Sequence, residues 1–350
     1  MKAYLPLTLA LAVIILGACQ KEHAEEVPMD FSASQTVAAE ASTAARQNQS
    51  RTTASGQATP ATRAGWTTIG GNNDLKNYSF GIFGGYSATE GGTLTNLFDD
   101  DKAVEVSHDG TNWKYYNDEK DVKYWRRNSH YRFRAYCPYE AEVLPRTSDA
   151  DNISIKYRII DHQYDLLVAF AHRHPAKEGY KTVNMPFQHA LSGLRFQVVF
   201  DESVSNGQTD HITGFHLKGL RSAGTLLYSH EKGNALIPSL NWSTSNSFDS
   251  SYEFYKWTGS TEFGKDKAVT IFSDNGGVVF AIPQTVEGGR TSVHFTTANG
   301  AMDHTATLPP ITWEPGKIYT YTLKVLKSSV EVNVGIKDWD EVQSSVEVYL

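Results

Sequence analysis

The sequence predicts an all-β protein built from antiparallel β-sandwiches, on three observations. Short runs alternate apolar and polar residues with period two, which places one set of side chains on one face of a sheet. Glycine, asparagine and aspartate pairs separate those runs at turns. Aromatic residues make up 12% of the chain, a content suited to broad pleated surfaces.

The runs follow one another from about Gly65 onward. Tyr78, Phe80 and Ile82 alternate, and so do Tyr131, Phe133 and Ala135, with Arg132 and Arg134 on the opposite face. Leu194, Phe196, Val198 and Phe200 form a third run, and Tyr319, Tyr321, Leu323 and Val325 a fourth. Val330, Val332, Val334 and Ile336 close the series. Turns are expected at Gly84-Gly85, Asp109-Gly110, Asn206-Gly207, Asn275-Gly276-Gly277 and Asn299-Gly300. No stretch carries the apolar stripe of a three-turn amphipathic helix.

With 350 residues the chain suits two domains of roughly 100–200 residues each. The segment Arg173 to Lys181 is polar and holds Pro175 and Gly179, so the boundary is expected between Lys181 and Asn184. The division is residues 64–182 for the first sandwich and 183–350 for the second. The net charge is −7 and no long basic run appears, which argues against a nucleic-acid partner.

The N-terminus reads as a targeting segment. Lys2 is followed by an apolar run from Leu5 to Leu16, too short to span a bilayer. It ends in Leu16-Gly17-Ala18-Cys19, which resembles a bacterial lipobox, so residues 1–18 are expected to be a lipoprotein signal peptide and Cys19 the acylated residue. One acyl chain anchors only marginally, and a lipoprotein cysteine carries more than one. The charged residues Lys21, Glu22, Glu25 and Glu26 resemble a surface-export signal. Residues 19–63 are poor in large apolar side chains and are expected to be a flexible tether or a removable propeptide.

Catalytic and metal chemistry finds little support. Cys137 is the sole cysteine besides Cys19, which excludes an internal disulfide once Cys19 is acylated; it is expected to be a buried small hydrophobe. His172 and His174, with His162 or His189, lack the carboxylate or cysteine companions of a metal site, so no metal or cofactor is expected. Asp161, His162 and Ser192 lack the glycine pattern of a nucleophile elbow. The glycines Gly81, Gly84, Gly85, Gly91 and Gly92 lack the lysine of a phosphate loop and are read as turn residues, and Asp99-Asp100-Asp101 as a solvated acidic turn. Trp242 and Trp257 fall in a polar stretch, Asn241 to Gly259, expected to be a long loop; they are the candidate ligand surface.

Five stretches carry a family resemblance. They are Val122-Lys123-Tyr124-Trp125 with Tyr131 to Pro138, Tyr164 to Ala169, Phe187 to Phe196, Trp313 to Tyr321, and Ile336-Lys337-Asp338-Trp339. In this order, after a lipobox, they resemble the fimbrillin family of Bacteroidales-type pili. The resemblance implies two transthyretin-like β-sandwich domains and an exported lipoprotein of the outer membrane and cell surface. It implies a structural role rather than an enzyme. It also implies assembly with other fimbrial subunits, in which an arginine-specific protease removes the N-terminal segment and a strand of a neighbour fills the exposed groove. Arg63, directly before the first folded segment, is the first candidate for that cut, followed by Arg46 and Arg51. Val346, Val348 and Leu350 alternate in the terminal run, which is either a donor strand or the last strand of its own domain. The alternative role is a non-polymerising tip or anchor lipoprotein, with host glycans or proteins as partners.

Overall fold

A computed structural model describes residues 27–35, 69, 74–98, 103–139, 146–147, 153–159, 164–203, 207–230, 238–244, 249–250, 252–273, 277–298, 303–326 and 329–339. The fold is all-β, as the alternating runs predict. Short helical turns include Asp118–Asp121 and Pro175–Glu178, and Asp74 and Leu75 are helical as well.

The first sheet runs in the spatial order Phe31–Gln35, Val183–His189, Leu167–Arg173, His130–Cys137, Phe80–Ser87, Val104–His108 and Trp113–Tyr115. Its two ends meet. Phe31, on the first strand of the path, packs edge-on against Tyr115 on the last, with ring centroids 5.8 Å apart. The sheet is therefore curled around its own core, which includes Phe80, Ile82, Phe133, Ala169, Met185 and Phe187. Its other face is covered as well. Phe83, Tyr136, Val168 and Phe170 join a larger apolar cluster with Ile155, Leu194 and Leu226. Arg134 does face away from Phe133, yet it is fully buried, with its guanidinium 4.0 Å from the centre of the Phe170 ring.

Among the described residues there are three further sheets of four or five strands, and a two-stranded sheet of Thr285–Val286 with Ile311–Thr312. Ser192–Phe200 lies between Val269–Thr270 and Lys317–Val325, with Val330–Asp338 beyond. Thr209–Lys218 lies between Phe254–Gly264 and Ser292–Thr297, with Asp303–Thr307 at the edge. Ala223–His230 lies between Pro238–Thr244 and Ile153–Arg158. Pairing is mostly antiparallel. Two pairs are parallel, against the purely antiparallel expectation: Phe31–Gln35 with Val183–His189, and Ser192–Phe200 with Lys317–Val325.

The structure adds to the sequence reading and departs from it at particular residues. Val183, Met185, Phe187 and His189 alternate inward, and this strand is part of the first sheet, so the change of sheet comes at Ala190–Leu191. Ile153–Arg158 also pairs across that boundary with Ala223–His230. Gly81, Gly84 and Gly85 stand inside Phe80–Ser87 and not in a turn. A Cβ at Gly84 would lie 2.8 Å from the Phe133 ring, so close ring packing, not turn geometry, calls for glycine there. Asn241 and Trp242 lie within the strand Pro238–Thr244, and Trp257 and Gly259 lie on another, where a long loop was expected. Finally, residues 19–63, expected to be a flexible tether or a removable propeptide, include Phe31–Gln35, a strand of the first sheet.

Candidate functional site

The segment Val27–Gln35 sits at the seam of the curled sheet. Its apolar residues alternate: Met29 and Phe31 are buried, and Val27 and Ala33 pack on the same core. Burying side chains the size of Met or Phe stabilises by about 1.5–3 kcal/mol each relative to exposure. The period-two signal was present in Val27, Met29, Phe31 and Ala33, but it is short and surrounded by alanine, serine and glutamate.

The backbone of this segment joins two edges. Trp125 N–H donates to Val27 O at 3.0 Å, and Met29 N–H donates to Lys123 O at 2.8 Å. Beyond Met29 the chain changes partner. Val183 N–H donates to Asp30 O at 2.8 Å, and a parallel ladder runs from Phe31↔Val183 to Gln35↔Phe187. Strand alternation then aims the amides of Met185 and Phe187 at the same neighbour. Pro186, which has no N–H, falls on the other side of the ladder.

Inside the seam, Phe31 also meets Phe133 edge-on, with centroids 5.2 Å apart. A cleft of about 190 Å³ runs beside the segment, lined by Met29, Phe31, Val106, Trp113, Tyr115 and Val122. Burial pushes the Tyr115 phenol well above its ordinary value. On the outer face, Asn184 is held between Ser32 and Ser34: Ser32 Oγ donates to Asn184 Oδ1 at 3.3 Å, and Asn184 Nδ2 donates to Ser34 Oγ at 2.8 Å.

Past Gln35 the chain reaches described structure again at Ile69, which is buried. Both points are tied to one buried pair. Asp165 Oδ2 accepts from Ile69 N–H at 3.1 Å, and Asp165 Oδ1 lies 3.0 Å from His189 Nδ1. His189 Nε2 lies 2.8 Å from Gln35 Nε2, which also donates to Ile69 O at 3.1 Å. Chemically, this region is a slot filled by the chain's own segment Val27–Gln35. Without Val27–Gln35 it would present unpaired amides and carbonyls beside an apolar channel, the arrangement that recruits an added strand.

Cys19, Arg46, Arg51, Arg63, Val346, Val348 and Leu350 lie outside the described residues, as do Asp161 and His162. Trp242 and Trp257 stand on different sheets. Trp242 is half-buried; its ring N–H donates to Ala190 O at 2.8 Å and its ring meets Tyr157 edge-on. Trp257 lines a groove of about 320 Å³ with His216, Lys218, His294, Thr296 and Asp303. Cys137 is buried, and burial raises its thiol well above the ordinary range. Ser192 is buried and donates to Glu314 O at 2.8 Å, while a Cβ at Gly193 would lie within 3.0 Å of Ile318 and Trp339. His174 stacks on His130 at 4.1 Å, and His189 on Trp339 at 4.3 Å. Among the described residues no three His, Cys, Asp or Glu side chains converge as a metal site would require. The sequence reading missed the slot and the Asp165–His189 pair, although both residues fall inside stretches it had singled out.

No curated protein sequence matches the chain. Solved structures do. A fimbrial protein from Bacteroides vulgatus ATCC 8482 superposes with a TM-score of 0.53 at 17% identity, covering 74% of this chain and 92% of that one. The tip fimbrial protein Mfa3 from Porphyromonas gingivalis, with C-terminal truncation, gives a TM-score of 0.36 at 12% identity over 75% of this chain and 94% of that one. At 17% identity the first of these likenesses concerns the fold alone. The family model described as fimbrillin-like matches residues 62–339, which is most of the chain. The chain belongs to the fimbrillin-like family.

Proposed function

We propose that this protein is a structural subunit of a cell-surface fimbrium in which Val27–Gln35 is a placeholder strand. The observation that carries this reading is the seam. One short segment supplies Met29 and Phe31 to the core, pairs with Lys123–Trp125 on one side and with Val183–His189 on the other, and is joined to Ile69 through residues 36–68. That connection contains Arg46, Arg51 and Arg63. A cut after any of them leaves the strand held by non-covalent contacts alone. Its departure opens a slot that a strand of a neighbouring subunit refills, and head-to-tail repetition of the step gives an open filament. The terminal run with Val346, Val348 and Leu350 has the alternation a donor needs. Export as a lipoprotein acylated at Cys19 delivers the precursor to the outer membrane.

The test is incubation of the purified precursor with an arginine-specific protease, following the new N-terminus and the oligomer size. A cut within residues 36–68 followed by ladders of oligomers is the expected result. A clean cut with a persistent monomer contradicts it. That outcome favours the second reading, a non-polymerising surface adhesin, for which the groove at Trp257 with its polar rim is the supporting feature.

A further inference from the structure

The slot is not apolar along its whole length. At one end it carries a closed cycle of hydrogen bonds through Gln35, His189, Asp165 and Ile69. Every member is buried: Gln35 is 5% exposed, His189 2%, Ile69 1% and Asp165 0%.

The cycle fixes its own donors. A carboxylate facing a backbone N–H and an imidazole acts as acceptor toward both, so His189 Nδ1 carries the proton shared with Asp165. Ile69 O needs a donor, which turns the Gln35 amide nitrogen into this corner. His189 Nε2, beside that same nitrogen, is then left as the acceptor. The ring is held in place from its other face by Trp339, whose own ring stacks on Phe280 at 5.6 Å. His189 is thus a rigid, oriented acceptor at the end of an otherwise apolar channel, and Asp165 is the residue that orients it.

We infer that Asp165 and His189 form a polar subsite of the strand-binding slot, selecting an extended strand that carries a hydrogen-bond donor at the position of Gln35. The ligand class is a β-strand peptide with alternating apolar residues and one amide or hydroxyl side chain at the end of the inward-facing row. In the resident strand that row is Met29, Phe31, Ala33 and Gln35. Taking the donor role proposed above, the subsite also sets the direction of the incoming strand. The terminal run offers Ser344, Val346, Val348 and Leu350 as one row. Run opposite to Phe31–Gln35, this row puts Ser344 at the position of Gln35 and the three apolar residues at the positions of Ala33, Phe31 and Met29. Run the same way, it puts Leu350 against His189 and leaves a buried acceptor unpaired.

The test uses the full chain, nicked within residues 36–68 by an arginine-specific protease. Synthetic peptides of residues 27–35 compete for the slot, one with the natural Gln35 and one with Gln35→Leu. The protein is unchanged between the two titrations, so folding of a variant does not enter. The leucine peptide is expected to bind about ten- to hundredfold more weakly, as for a buried acceptor left without its partner. A difference under about twofold would overturn the subsite. The two peptides are then compared on a His189→Phe chain, where the preference for Gln35 is expected to disappear. Equal weakening of both peptides, with the preference kept, would mean that His189 only supports the fold, and would also overturn the proposal. A peptide of residues 344–350 tests the donor role separately. Its failure to bind, while residues 27–35 still discriminate at Gln35, overturns the terminal run as donor and leaves the subsite standing.

Discussion

Truncating Phe31 to alanine isolates what the N-terminal strand contributes to the seam. The ring is 4% exposed and contacts Tyr115 and Phe133, the first of which lies at the far end of the sheet path. Phe→Ala changes in cores cost about 3–5 kcal/mol. The cleft of about 190 Å³ beside the segment lets neighbours relax into the vacated space, which places Phe31→Ala near the lower end. A loss of about 3 kcal/mol corresponds to roughly 150-fold in occupancy of the slot. Urea unfolding of the intact chain reads this as a lower midpoint at unchanged slope. In the nicked chain, the same change is expected to speed release of the N-terminal peptide by up to a similar factor. Ser32→Ala, on the outer face of the same strand, is expected to stay within about 0.5 kcal/mol of the unmodified protein. A Phe31→Ala chain that loses less than about 1 kcal/mol would refute the idea that this strand is seated in the core.

Other expectations follow from particular groups. Val346→Asp with Val348→Asp is expected to leave the protease cut intact and abolish oligomer ladders, because two charges cannot enter the channel occupied by Phe31 and Ala33; ladders of normal length would contradict it. In a Cys19→Ala chain, Cys137 is expected to stay unreactive toward a thiol reagent at pH 8 until denaturant is added, since burial holds its thiol far above the ordinary value. Fast labelling of the folded chain would count against the packing described. His216 and His294 stack 4.8 Å apart, and burial is the first cause holding both below the ordinary histidine value. The folded state then takes up these protons less readily than the unfolded chain. Stability is therefore unaffected well above the unfolded value of about 6.5 and falls as the pH drops through it. Melting temperatures measured from pH 7.5 to pH 5 are expected to fall less steeply for His216→Gln, and an identical slope would exclude this contribution.

The fold class was legible because its strands announce themselves. Leu194, Phe196, Val198 and Phe200 all face inward, as do Tyr319, Tyr321, Leu323 and Val325. The strand Val330–Asp338 was found by the same rule, but only Val334 of its alternating row is buried, since among the described residues it lies at a sheet edge. Which sheet a strand joins is another matter. Val183–His189 alternates equally well for either neighbour, and its long-range pairing with Phe31–Gln35 on one side and Leu167–Arg173 on the other assigns it. The glycines of Phe80–Ser87 were misread because a turn and a close ring contact leave the same letter in the sequence. The functional slot was least legible. Its strand is short and set in a polar stretch, and the polar subsite joins Gln35 to His189 across 154 positions, with Asp165 a further 24 away from His189. Tertiary closure makes that cluster, and no local pattern encodes it.

The central claim is that Val27–Gln35 must leave before subunits can join. Ser32 and Asn184 are register partners with side chains 3.3 Å apart, so Ser32→Cys with Asn184→Cys offers a disulfide that locks the strand in place. After the arginine-specific cut, the oxidised protein is expected to remain monomeric and to assemble once reductant is added. Assembly at the same rate while the disulfide is intact would contradict the account.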